Sequence, residues 1–142
     1  DTVLRYKEQV LDSLKGEHAR ILAKIRECEN AIDELEHEYS LRAAEFQQNK
    51  MNGMKINEMH TYENYFDSLR LKIRRKQEQL ARLREQEEIK RKEVVEAKKE
   101  TSSIDKLKER KRFEYDKEVL KQDERLIEEF VTTRDAMARL NG

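Results

Sequence analysis

Gln47-Gln48-Asn49-Lys50-Met51-Asn52-Gly53 is the stretch that decides the fold. It is a polar run that closes on Asn-Gly, a pair that marks a tight reversal. Around it, helix breakers are missing. The chain has no proline, and Gly53 is the only glycine between Gly16 and Gly142. Proline costs a helix interior about 3 kcal/mol and glycine about 1 kcal/mol relative to alanine. Avoiding both for so long, with one interruption, predicts helix 1 over about 1–48, a turn at about 49–55 and helix 2 over about 56–140.

Outward from the turn, both arms carry a heptad. Before it, the a positions are Leu4, Leu11, His18, Ile25, Ile32, Tyr39 and Phe46, and the d positions Lys7, Leu14, Ile21, Cys28, Leu35 and Arg42. Ten of these thirteen are apolar, a sustained 3.5-residue period. Gly16 falls at f, where its cost is smallest. After the turn, a is Met59, Phe66, Ile73, Leu80, Glu87, Val94 and Thr101, and d is Tyr62, Leu69, Lys76, Leu83, Lys90, Ala97 and Ile104. Beyond Ile104 the phase slips by about four residues, a stutter that relaxes the supercoil without ending the helix. A new stripe then runs through Tyr115, Val119, Leu126, Phe130, Met137 and Leu140.

Composition alone does not separate a coiled coil from a disordered polyampholyte. The chain holds 31 basic and 31 acidic side chains, with 44% of residues charged and 36% hydrophobic. An ordinary globular core is excluded; the periodicity selects the coiled coil. Cys28 is the single cysteine, so no internal disulfide forms and a reducing compartment fits. No stretch approaches the roughly 18 apolar residues of a membrane span, and no signal peptide is visible.

The two arms are complementary when folded back. An antiparallel register in which paired numbers sum to 108 sets Phe46 by Tyr62, Tyr39 by Leu69, Leu35 by Ile73, Cys28 by Leu80 and Ile25 by Leu83. It continues with Leu14 by Val94, Leu11 by Ala97 and Leu4 by Ile104. A sum of 101 sets Leu14 against Glu87 and Leu11 against Lys90, and is rejected. Residues 1–48 hold 11 acidic and 7 basic side chains (net −4), and residues 70–99 hold 12 basic and 6 acidic (net +6). Glu27, Glu29, Asp33, Glu34 and Glu36 are expected near Arg70, Lys72, Arg74, Arg75 and Lys76. Such charges choose partner and direction more than they stabilise. The fold class expected is all-α, a long antiparallel two-helix coiled-coil hairpin with an overhanging C-terminal helix. After about residue 107 the stripe has no partner in the chain, which points to another surface.

No catalytic constellation is present. His18, His37 and His60 are too scattered for a metal site, and His18 reads as a polar seam residue. The carboxylates of residues 27–38 form a solvated stripe with no pocket to perturb them. No glycine-rich phosphate loop occurs, and no cofactor is implied. The basic runs Arg74-Arg75-Lys76, Lys90-Arg91-Lys92 and Lys106 to Arg112 are diluted by Glu78, Glu85, Glu87 and Glu88, so nucleic acid is not the expected partner. Tyr62 and Phe66 fall on the seam. Tyr65 falls at g beside it, where an aromatic suits an interface.

Thr2-Val3-Leu4-Arg5, the turn Asn52-Gly53-Met54 and the run Met59-x-x-Tyr62-x-x-Tyr65-x-x-x-Leu69 resemble the flagellar type III export protein FliJ family. Lys106-Leu107-Lys108-Glu109-Arg110 with Glu114-Tyr115 fits the same pattern. The resemblance covers the whole chain and implies that the family's first few residues precede Asp1. Lys55 stands where the family more often has a Ser or Thr cap, which implies a ragged start to helix 2. What the resemblance implies is a non-catalytic stalk of the export ATPase hexamer. It also implies contacts with the cytosolic domain of the membrane export gate protein and with export chaperones. The implied location is cytoplasmic, peripheral to the inner face of the membrane. Carried onto this chain, Tyr62, Tyr65 and Leu69 become candidates for gate docking, and Val119, Leu126, Phe130 and Met137 for contact with the ATPase ring.

Two rival readings are a generic tethering coiled coil, marked by a parallel homodimer, and a nucleic-acid-binding rod, marked by steeply salt-dependent binding. The hairpin makes a direct prediction. Spin labels at positions 11 and 97 should lie within about 20 Å of each other in one molecule, since packed helix axes are 8–10 Å apart. A long distance in isotopically diluted samples overturns the reversal.

Overall fold

The computed structural model describes residues 2–141, which form two helices: α1 (Thr2–Met51) and α2 (Ile56–Asn141). Helix α1 therefore continues three residues past the expected 48, because nothing in Asn49-Lys50-Met51 opposes helix. Asn52 and Gly53 end it. Gly53 has φ of 93°, the left-handed region that a side chain would strain. Its N–H donates to the Lys50 carbonyl at 3.3 Å, as the residue beyond a helix C-cap does in a Schellman ending. Lys50 in the last turn of α1 and Glu58 in the first turn of α2 each oppose the local helix dipole.

Helix α2 starts at Ile56 even though Lys55 supplies no capping oxygen. The Lys55 carbonyl accepts the first helical bond, from Met59 N–H at 3.1 Å. Half-buried Met54 and Met59 occupy the two positions whose apolar side chains staple a helix entrance.

The chain divides into two compact units, residues 9–97 and residues 1–8 with 98–142. In the first, α1 runs antiparallel to the early part of α2. Ile25, Cys28, Ile32, Leu80 and Leu83 form its core cluster, so the expected pairs Ile25–Leu83 and Cys28–Leu80 fall inside one group. Phe46 and Tyr62 meet with ring centroids 5.0 Å apart, and Tyr39 meets Phe66 at 5.0 Å. The Cys28 thiol donates across to the Lys76 carbonyl at 3.3 Å. Among the thirteen seam positions of α1, Arg42 alone is exposed. Each buried aliphatic side chain contributes about 1.5–3 kcal/mol, so the seam supplies most of the stability.

Polar seam residues meet polar partners. His18 Nε2 lies 3.2 Å from Glu87 Oε1, the two side chains 20% and 21% exposed. Lys90 reaches Glu17 at 2.8 Å and Glu93 at 2.9 Å. A slip of one heptad would set Glu87 and Lys90 against leucines, so these pairs fix the register that the apolar pattern permits in two ways. Of the expected acidic–basic contacts, Glu29 instead meets Arg84, at 3.8 Å. Glu34 lines a shallow groove with Lys72, Arg75 and Lys76, and Glu36 one with Arg70 and Arg74.

In the second unit, Leu4 is buried and Ile104 half-buried, and Lys7 donates to Glu100 at 2.9 Å. From Asp105 to Asn141 every residue is exposed. Replacing both His18 and Glu87 by Leu should raise denaturant stability by about 1–3 kcal/mol, as expected when apolar groups replace a partly desolvated polar pair. An unchanged or lower unfolding midpoint means that the pair itself stabilises the fold.

Candidate functional site

Near the turn, α1 presents Glu38, Arg42, Glu45 and Asn49 at spacings of three and four residues, one face of a helix. Their side chains build a ladder. Arg42 Nε donates to Glu38 Oε1 at 3.0 Å, and its guanidinium also grips Glu45. Tyr65 Oη donates to Glu38 Oε1 at 2.6 Å and Tyr62 Oη to Glu45 Oε1 at 2.9 Å, while Asn49 Nδ2 donates to Tyr62 Oη at 3.0 Å. Thus Arg42, expected in the seam, leaves it because two carboxylates and water outside suit a guanidinium better than apolar neighbours. Glu38, Arg42, Thr61, Tyr62 and Tyr65 line a shallow open groove.

The three candidates for gate docking are placed differently. Tyr65 is 38% exposed, with its hydroxyl engaged by α1 and its ring tilted against Phe66, centroids 6.2 Å apart. Tyr62 is half-buried between Phe46 and the ladder. Leu69 is only 3% exposed. It belongs to the seam, so it presents no surface to a partner. The residues that the sequence reading missed are Glu38, Arg42 and Glu45. Their i, i+4 and i, i+3 spacing was the available signal.

The candidates for ring contact lie on an exposed helix. Val119, Leu126, Phe130 and Met137 are all exposed. At about 100° per residue, Tyr115, Val119, Leu126, Phe130 and Met137 fall within an arc of about 60°. Tyr115, Leu126 and Met137 are spaced by eleven, the repeat that keeps a stripe nearly straight along a helix. Phe113, Leu120, Ile127 and Val131, also exposed, fall on a second arc of about 40°, roughly 115° away by the same geometry.

Among the described residues, no group of three or more His, Cys, Asp or Glu could hold a metal ion. No helix is long and apolar enough to cross a membrane among those residues either.

The ladder titrates at both ends of the pH scale. Tyr65 and then Arg42 hold the Glu38 carboxyl below its ordinary 4.5, and Arg42 and then Tyr62 do the same for Glu45. Hydrogen bonding to those carboxylates raises both phenols above their ordinary 10.0, Tyr65 through Glu38 and Tyr62 through Glu45. A lowered carboxyl stabilises the fold above its unfolded value and loses that contribution as pH falls through the folded one. A raised phenol stabilises below its unfolded value and loses it as pH rises through the folded one. Tyr65→Phe should therefore lower the melting temperature between roughly pH 5.5 and 9 and converge with the parent toward acid and strong base. A pH-independent difference shows that the Tyr65–Glu38 bond carries none of it.

No curated protein and no solved structure matches this chain. The family model described as Flagellar FliJ protein matches residues 1–138. The chain is a member of the flagellar FliJ protein family.

Proposed function

We propose that this flagellar export protein acts as a coiled-coil stalk joining the export ATPase ring to the export gate and to substrate chaperones. The chain belongs to the flagellar FliJ protein family, and the reading needs no catalytic group. One observation carries it. A helical segment of 37 residues, 105–141, is exposed throughout and displays the near-straight stripe of Val119, Leu126, Phe130 and Met137. Large apolar side chains aligned on a bare helix suit the lumen of a ring, where several subunits cover them at once.

In this reading the stripe enters the ATPase hexamer, and one asymmetric helix inside identical subunits contacts each differently. Unequal contacts bias nucleotide states without chemistry by the stalk. The gate's cytosolic domain docks on Tyr62 and Tyr65, with Leu69 supporting them from within the seam. All 142 residues then serve as one functional hairpin, placed in the cytoplasm and peripheral to the membrane.

The test is stimulation of the purified export ATPase. Leu126→Asp with Phe130→Asp should abolish it, at least a tenfold loss, while circular dichroism stays within a few per cent of the parent. Both sites are exposed, so the fold tolerates the change. Full stimulation by this variant overturns the ring assignment.

A further inference from the structure

Phe113, Leu120, Ile127 and Val131 belong to neither the seam nor the stripe assigned to the ring. The first three are spaced by seven, symmetrically about Leu120. If a second copy of the helix lies antiparallel with Leu120 against Leu120, Phe113 of each meets Ile127 of the other. Three apolar layers result from one repeated pair, which is the self-complementarity of a two-fold interface.

The flanking charges invert about the same point. Residues 106–112 carry five basic side chains and one acidic, whereas residues 123–129 carry four acidic and one basic. In the antiparallel arrangement Arg110 comes to Glu128, Lys117 to Glu124, Arg112 to Asp123 and Arg134 to Asp105. Asp116 against Asp123 and Lys117 against Lys121 are like-charged approaches. A parallel arrangement stacks each block on its own kind and loses all of these. All of these charged side chains lie within the exposed segment.

We infer that the second stripe is a self-association face, on which two copies of this chain pair as an antiparallel two-fold dimer centred on Leu120. With three apolar layers and exposed ion pairs the dimer is reversible, and salt weakens it. Its residues differ from those assigned to the ATPase ring, so either assignment can fail without the other.

Analytical ultracentrifugation of the full chain tests it. A concentration-dependent monomer–dimer equilibrium is expected, and Leu120→Asp should weaken it at least tenfold. Arg110→Glu with Lys117→Glu should also give monomer, and adding Glu124→Lys with Glu128→Lys should restore the dimer. General damage to the helix would not be repaired by that second pair of changes. Spin labels at position 120 should be close across the dimer, and labels at position 139 roughly 55 Å apart, nineteen residues either side of the axis at 1.5 Å each. A chain monomeric at every concentration overturns the inference. So does a dimer indifferent to Leu120→Asp, or one whose labels at position 139 are close.

Discussion

Burial of one heptad stripe against another, in opposite directions, is the constraint on which the fold of residues 9–97 depends. Neither arm has a core of its own, and a chain with 44% charged residues has little apolar surface to spare. The turn makes the burial intramolecular. Gly53 takes the left-handed φ, and helix resumes within three residues. Entropy favours this arrangement over pairing between chains, because the two stripes are already tethered by a short loop.

Polar side chains divide the remaining work. Surface ion pairs are worth about 0–1 kcal/mol each, against about 1.5–3 kcal/mol for a buried aliphatic side chain. They cannot hold the hairpin, but they can choose among arrangements that bury similar apolar area. His18 with Glu87 and Lys90 with Glu17 do so within the seam. Where Arg42 had no polar partner across the seam, it moved outward and joined Glu38 to Glu45. A seam position became the centre of a surface network.

The same economy separates the candidate surfaces. Near the turn, aromatic rings are held by bonds from both helices, so the surface there is composite and fixed in place. Along 105–141 no other described segment covers the apolar residues, so they stay open to solvent. Aromatic and aliphatic side chains on a continuous helix need no rearrangement to dock, which keeps the ordering cost of association low.

Much of the seam was legible in the sequence, because a 3.5-residue period and a breaker-free chain leave few alternatives. Leu4, Ile25, Cys28, Ile32, Phe66, Leu69, Leu80, Leu83 and Val94, the buried residues of the structure, all occupy a or d positions. The candidate site was less legible. Periodicity assigns a face to each residue but not a rotamer, so Arg42 was read as seam; Leu69 was placed at d by the heptad, and only the family resemblance made it a docking candidate. The Tyr65–Glu38 bond joins residues 27 apart in sequence, and only the pairing of α1 with α2 brings them together. The sequence by itself determined helix, reversal and partner, since these follow from propensity, one glycine and the spacing of apolar groups. Tertiary structure decided which long polar side chains reach across and which turn outward, because that choice depends on what each finds within a few ångströms.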